Sequence, residues 1–232
     1  MSEIVECTRG SHNPFQGART LWYKFNHFRE NPTYFYPDGI WVFCGPQGCG
    51  KTLSAVQTLQ MMVKRYPRAR VISNMDVKNV PTVVEPFLDY AQLGEEDNGV
   101  EGVIFLLDEI HVLWNSLESK NIPISEMATF CQMRKARRVI LGTTQVYGRV
   151  AKPIREQLKY VILCRNFGGF FQFNQICDPT TSVEKDGKIS PEIIRTQMWF
   201  HRPELYDSYE TLGRIERIDR SDKFLIPRGV RR

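Results

Sequence analysis

The sequence has 232 residues, enough for one α/β domain with extensions or a core with a small appendage. Its hydrophobic content of 42% allows a sizeable core, and its net charge of +5 is compatible with a polyanionic partner without establishing one. The six cysteines show no CxxC pairing or framework spacing, which indicates reduced, mostly buried thiols in a cytosolic compartment. The opening segment does not resemble a signal peptide, and no run reaches the roughly 18 apolar residues that cross a bilayer. We therefore expect a soluble, cytoplasmic protein without a direct membrane span.

The first predicted element is a helix over residues 17–30, where apolar side chains recur at helical spacing with basic residues between them. Leu21, Trp22, Phe25 and Phe28 are expected to pack in a core, and a partner or nucleic-acid surface is the alternative. Two prolines in 31–38 end this helix. The sequence thus predicts an N-terminal extension over 1–37, a core over 38–200, and a C-terminal helix with a basic tail over 201–232.

A glycine-rich loop follows the first predicted strand, residues 39–45, and precedes a helix that starts at Lys51. Its sequence, GPQGCGKT over 45–52, fits the pattern G-x-x-x-x-G-K-[ST]. In such a loop successive backbone N–H groups face phosphate oxygens, and the start of the following helix adds positive potential. Lys51 is predicted to reach the β- and γ-phosphates, and the Thr52 hydroxyl to ligate Mg²⁺, so ATP and Mg²⁺ are the predicted cofactors. The alternative is a plain glycine-rich turn.

The predicted nucleotide-contacting residues are consecutive along the loop and the helix start: Gly45, Pro46, Gln47, Gly48, Cys49, Gly50, Lys51, Thr52 and Leu53. Cys49 is a candidate reactive thiol.

An acidic pair ends the third predicted strand. After a helix break at Tyr66 and Pro67, a second strand is predicted over 70–75, then a loop-rich excursion over 76–101 with a short helix near 83–92. The third strand, 102–109, is apolar until Asp108 and Glu109, as expected at the carboxyl end of a buried parallel strand, where α/β sheets bind ligands. Asp108 is predicted to hold Mg²⁺, and Glu109 to act as the general base. Two solvated acids are the alternative.

A basic run and a glutamine follow. A helix is predicted over 121–138, ending in basic residues that suit a helix carboxyl end. Alternatively, one arginine reaches the γ-phosphate of a neighbouring subunit; Arg138 is the first candidate, ahead of Arg134, Arg137 and Arg155. The fourth strand, 138–145, ends in Gln145, whose amide can orient the lytic water or sense the γ-phosphate.

The last third of the sequence predicts a sheet extension. A short helix is predicted over 149–158, a fifth strand over 159–164, and an antiparallel pair over 168–177 and 193–200 joined through a turn at Asp186 and Gly187. Its aromatic residues fit a cross-strand ladder better than base stacking. A helix is predicted over 203–213. The predicted fold class is α/β: a P-loop NTPase with a RecA-like parallel sheet flanked by helices and an antiparallel edge extension.

These motifs resemble those of the FtsK/HerA group of motor ATPases, and within it the zonula occludens toxin-like assembly ATPases of filamentous phages. The matching pieces are residues 45–52, 71–74, 107–111, Arg134 with its basic neighbours, and 144–145, with looser matches at 154–155 and 205–209. The likeness covers roughly residues 38–210. It implies a magnesium-dependent, ring-forming ATPase that moves DNA or nucleoprotein during phage or mobile-element assembly.

One departure from the resemblance concerns the membrane. The filamentous-phage proteins usually carry a membrane span after the ATPase region, and this sequence has none, which favours the plan of small genome-packaging ATPases of tailless viruses. The expected function is an ATP-hydrolysing, DNA-translocating motor, a hexameric ring with a capsid or portal partner. The alternatives are an assembly or secretion ATPase that acts at a membrane through a partner, and a monomeric small-molecule kinase, for which no lid is evident. A GTPase switch is disfavoured because no base-reading N/T-K-x-D motif is present.

Overall fold

The structure, a computed structural model, describes residues 14–185 and 188–209. These residues form two compact units, one ending at Tyr34 and the other beginning at Phe35. The second unit includes the described residues from Phe35 onward, and the predicted domain boundaries at 37–38 and 200–201 remain predictions. Predictions for residues 1–13, the turn at Asp186 and Gly187, and the tail after Tyr209 fall outside the described residues.

The first unit contains helix α1, Pro14–Glu30, which confirms the predicted helix. Its Leu21, Trp22 and Phe25 side chains are 71%, 68% and 62% exposed, so the expectation that they pack in a core is wrong. Both buried clusters of the described chain draw only on residues from Phe35 onward. The hydrophobic spacing predicted the helix correctly, but it could not reveal whether a core lies beside it.

The second unit is built on one eight-stranded sheet with the order β3-β2-β4-β5-β1-β6-β7-β8. All neighbours from β3 to β6 pair in parallel, and β6, β7 and β8 pair antiparallel. The parallel sheet with an antiparallel edge extension is therefore confirmed. The strands are β1 Gly39–Cys44, β2 Arg70–Ser73, β3 Val84–Pro86, β4 Val103–Leu107, β5 Arg138–Thr144, β6 Leu158–Phe167, β7 Phe171–Lys185 and β8 Lys188–Phe200.

The helices of the second unit connect these strands. They are α2 Lys51–Arg65, α3 Gln92–Glu95, α4 Ile110–Leu113, α5 Ile124–Gln132, α6 Lys152–Arg155 and α7 Pro203–Tyr206. The predicted helix near 83–92 is wrong: its first residues form the edge strand β3. Helix α5 ends before the basic run over 134–138, so those residues do not form its last turn. Of the helix predicted over 203–213, the described part is α7 alone.

Strand β4 is buried on both faces, which explains its continuous apolar sequence. Phe105 and Leu107 belong to one buried cluster, and Ile104 and Leu106 to the other, on the face where α2 packs. Because β4 lies beside β5, and β5 beside β1, the carboxyl ends of these three strands meet at one edge of the sheet. No helix among residues 14–185 and 188–209 is both long enough and apolar enough to cross a membrane.

Candidate nucleotide-binding and hydrolysis site

The glycine-rich loop joins β1 to α2 in a shape that two of its glycines make possible. Gly50 has a φ of 81°, and a Cβ there would lie 2.2 Å from Gln172 Oε1. A Cβ on Gly45 would lie 2.6 Å from Cys49 Sγ. Neither position accommodates a side chain, so the loop can follow this path only with glycine at both.

The loop borders a cavity of about 640 Å³, lined by loop residues 45–49 and by residues 163–167 of β6. This volume falls in the range of small-molecule sites. Lys51 lies across the loop, and its Nζ donates to the Pro46 carbonyl at 3.1 Å. Burial raises the pKa of the Cys49 thiol, outweighing the nearby Lys51 charge, so this thiol is not an activated nucleophile.

Asp108 follows β4 and meets two hydroxyl groups from other elements. Its Oδ1 accepts hydrogen bonds from Thr52 Oγ1 at 3.1 Å and from Thr143 Oγ1 at 2.6 Å. Burial raises the pKa of Asp108 above its usual value, and the two hydroxyl groups only partly offset this effect. A carboxylate and a threonine oxygen at this separation fit Mg²⁺, which prefers oxygen ligands. Among residues 14–185 and 188–209, no cluster of three or more His, Cys, Asp or Glu side chains suited to a metal occurs.

Glu109 is hydrogen-bonded at one carboxylate oxygen, and its other, buried oxygen lies near a histidine without a hydrogen bond. Oε1 accepts from Gln145 Nε2 at 3.1 Å, and Oε2 lies 3.1 Å from His111 Nδ1. Burial alone would raise its pKa, but the contacts with His111 and Gln145 and the charge of Lys51 outweigh burial and lower it. Glu109 is therefore an ionised carboxylate at neutral pH, able to accept a proton from a water molecule.

The sequence did not single out the groups that fix the acidic pair. The Asn74 side chain, just beyond β2, accepts from the Asp108 N–H at 2.8 Å and donates to the Asp108 carbonyl at 3.0 Å. Thr143 Oγ1 also accepts from the Glu109 N–H at 3.0 Å. A polar residue at the end of a strand next to β4 was the available signal for Asn74. Thr143 gave none, because threonine is common in strands.

The structure brings Lys51, Thr52, Asp108, Glu109 and Gln145 to one edge of the sheet. Arg138 is not brought to a surface from which it could reach a neighbouring subunit, which corrects the first choice of arginine. It opens β5, is buried, and donates to the backbone carbonyls of Glu96 and Leu93, both at 2.8 Å. A buried guanidinium engaged in this way cannot extend from the protein.

The other three candidate arginines differ in what their side chains contact. Arg137 donates to the Gly99 carbonyl at 3.3 Å, and the Arg155 guanidinium lies 5.3 Å from the Tyr147 ring centre. The Arg134 side chain is 92% exposed, with its Nε 4.0 Å from Asp38 Oδ2.

Comparisons with known proteins give one family profile and several similar structures. A profile of the ATPase family associated with various cellular activities (AAA) matches residues 41–166, more than half of the chain. The N-terminal domain of zonular occludens toxin from Neisseria meningitidis superposes with a TM-score of 0.52 at 17% identity, covering 74% of this chain and 98% of that domain. The genome packaging NTPase B204 from Sulfolobus turreted icosahedral virus 2 superposes with a TM-score of 0.48 at 11% identity, over 67% of this chain and 96% of that one. No curated protein sequence matches the chain.

The resemblance found in the sequence is thus confirmed at the level of the fold, a P-loop α/β sheet. The family profile begins within β1 and covers the glycine-rich loop, the acidic pair and Gln145, which form the site. The chain therefore belongs to the ATPase family associated with various cellular activities and is a nucleotide-binding P-loop ATPase.

Proposed function

We propose that the chain is one subunit of an oligomeric motor that hydrolyses ATP and moves DNA. The observation that carries the proposal is the Glu109 carboxylate, which accepts a hydrogen bond from Gln145, lies 3.1 Å from His111 and directly follows Asp108. Motors need a base that activates water at the γ-phosphate, whereas phosphate transfer to a small molecule needs an acceptor pocket and exclusion of water. The Glu109 side chain is 22% exposed and lies beside the exposed Gln145, as a base that acts on water requires.

In this proposal each residue at the sheet edge has one role. Backbone N–H groups of the loop and the Lys51 ammonium bind the phosphate tail. Thr52 and Asp108 would hold Mg²⁺, which when bound neutralises phosphate charge. Glu109 takes a proton from the attacking water while Gln145, exposed at the end of β5, positions that water.

Charge and surface features support the oligomer and the DNA partner. The chain carries a net charge of +5, which favours a polyanion, and the sequence motifs resemble those of ring-forming motor ATPases. Exposed Arg134 is the arginine we assign to the γ-phosphate of a neighbouring subunit in a hexameric ring. In this proposal a capsid or portal protein would receive the ring in the cytoplasm.

The test combines turnover with assembly. ATP hydrolysis should rise when double-stranded DNA is added, and this stimulation should fade with added salt because phosphate contacts release counterions. Sizing with ATP and Mg²⁺ should show a ring. Arg134→Ala should keep ATP binding but lose DNA-stimulated hydrolysis, whereas Arg137→Ala serves as the matched control from the same basic run.

Three outcomes would contradict the motor. A monomer under every magnesium condition, with phosphate transferred to a small molecule, would indicate a kinase. Stimulation by lipid vesicles but not by DNA would indicate an assembly ATPase at a membrane. If the rate of ATP hydrolysis changed neither with added DNA nor with formation of the ring, the protein would have no motor role.

A further inference from the structure

We propose that Gln172, on the antiparallel edge strand β7, is a positioning residue that fixes the phosphate loop for nucleotide binding. Its side chain is fully buried. In the sheet, three strands separate β7 from β4, the strand that the acidic pair follows. Its Nε2 donates to the Cys49 carbonyl at 3.0 Å and to Asn174 Oδ1 at 2.9 Å. Both N–H groups of the amide are therefore used, and its orientation is fixed.

The contact with the Cys49 carbonyl controls a phosphate-binding group. The peptide between Cys49 and Gly50 is trans and planar, so its carbonyl and the Gly50 N–H point in opposite directions. Holding the carbonyl on the β7 side therefore turns the Gly50 N–H away from β7. In a loop of this type that N–H belongs to the set that binds phosphate oxygens. Gln172 thus acts on the ligand through one rigid peptide.

A second contact anchors the helix that follows the loop. Asn174 lies two residues further along β7, on the same face, and its Nδ2 donates to Ser54 Oγ at 3.0 Å. Asn174 and Ser54 are 2% and 1% exposed. Two successive inward residues of β7 therefore hold both the last peptide of the loop and the first turn of α2.

The oxygen of the Gln172 side-chain amide also has a neighbouring polar group. Its Oε1 lies 3.3 Å from His201 Nε2, and His201 follows directly after β8. His201 in turn contacts Tyr206 of α7 through Nδ1. The antiparallel extension is therefore connected to the nucleotide site through the Gln172 amide, and it does more than widen the sheet.

The experiment measures nucleotide affinity in the absence of DNA, so it is independent of the motor proposal. Gln172→Met keeps the side-chain length but removes the donor, and Gln172→Glu keeps the shape with acceptors only. Both should weaken binding of AMPPNP with Mg²⁺ about tenfold and raise KM for ATP more than they lower kcat. Gln175→Met, the same change one residue beyond Asn174 on the opposite face of β7, should stay within about twofold.

A purely structural role predicts a different result. In that case the Gln172 variants would lower the melting temperature while folded protein bound AMPPNP with unchanged affinity, which would overturn the proposal. If neither variant folds, hydrogen exchange of the Gln172 side-chain amide in the unaltered protein decides the matter. Slower exchange when AMPPNP is bound supports the proposal, and exchange that AMPPNP leaves unchanged contradicts it.

Discussion

Thr143 shows how much of the site depends on one hydroxyl group. It donates to the Asp108 carboxylate and accepts from the Glu109 N–H, so it links the side chain of one acid to the backbone of the next. It lies in the interior of β5 and is fully buried. A group that satisfies two buried partners at once is costly to remove, because both lose a hydrogen bond that water cannot replace.

We expect Thr143→Val to lower the free energy of unfolding by about 1–3 kcal/mol and to reduce ATP turnover. Chemical denaturation and a phosphate-release assay measure the two effects. Thr196→Val, at an exposed position of β8, is the matched control and should change stability by less than about 0.5 kcal/mol. Wild-type stability and turnover in Thr143→Val would show that this hydroxyl does not hold the acids.

Glu109→Gln should bind ATP but hydrolyse it at least about 100-fold more slowly, because an amide cannot take a proton from water. Nucleotide binding by fluorescence and single-turnover hydrolysis separate the two steps. Lys51→Ala, which removes a phosphate-binding charge, should lose both binding and turnover. Normal turnover in Glu109→Gln would exclude this residue as the base.

Some residues of the site could be placed from sequence and others could not. Lys51, Thr52, Asp108 and Glu109 lie in local patterns with fixed spacing, and Gln145 ends a strand. Thr143 and Asn74 act on partners more than 30 positions away in the chain, which no local pattern encodes. Gln172 and Asn174 looked like ordinary polar positions in an alternating strand, because their partners belong to the loop and α2.

Among the elements, β5 and α4 are packed more closely than their sequences suggest. A Cβ on Gly142 of β5 would lie 2.7 Å from Ile110 Cγ2, and Ile110 is the first residue of α4, immediately after Glu109. Isoleucine is stiff at χ1, so its methyl group cannot easily swing aside. Because Gly142 has no side chain, the short helix α4 can pack closely against β5. This packing fixes the position of Glu109, the residue immediately before the helix.

Gly142→Ala should therefore destabilise the second unit by about 1–3 kcal/mol and slow hydrolysis by displacing Ile110. Thermal unfolding and turnover test this together. Gly17→Ala in α1 is the control, since nothing lies within 4 Å of a Cβ there and alanine favours a helix. Equal stability for Gly142→Ala and the unaltered protein would mean that α4 shifts without cost.

Elements were predictable where burial dictates a long periodic pattern, as in α2 and β4. The short edge strand β3 was mistaken for a helix because its three residues are too few to show alternation and include a proline. The antiparallel pair predicted over 168–177 and 193–200 is present, but both strands are longer than predicted. Strand β7 continues to Lys185, and β8 begins already at Lys188. Their cross-strand pairing is a tertiary property that the local sequence does not specify.

At the scale of the whole molecule, both buried clusters of the described residues are formed from Phe35 onward. Among residues whose burial is described, Phe35 is the first buried one: its N–H donates to the Val100 carbonyl at 2.8 Å, and its ring packs edge-on against Tyr66 at 5.0 Å. A Cβ on Gly102 would collide with that ring at 2.3 Å, so the chain is closely fitted there. The compact ATPase unit therefore begins with this phenylalanine.

A chain that starts at Tyr34 should unfold at the same temperature as the full chain and bind AMPPNP equally well. A chain that starts at Tyr36 is the matched comparison, and losing the buried Phe35 ring should cost it about 3–5 kcal/mol. Calorimetry and nucleotide titration give both values. A large loss of stability in the chain that starts at Tyr34 would show that the core depends on the residues before it.

The backbone of Glu109 places two opposite demands on one position. This residue adopts a left-handed conformation, with φ at 49°, which a glutamate enters only at a cost of roughly 1 kcal/mol. Glycine or asparagine there would relieve that cost, but either would also remove the carboxylate that we propose as the general base. Stability and the proposed chemistry therefore favour different residues at the same point of the backbone.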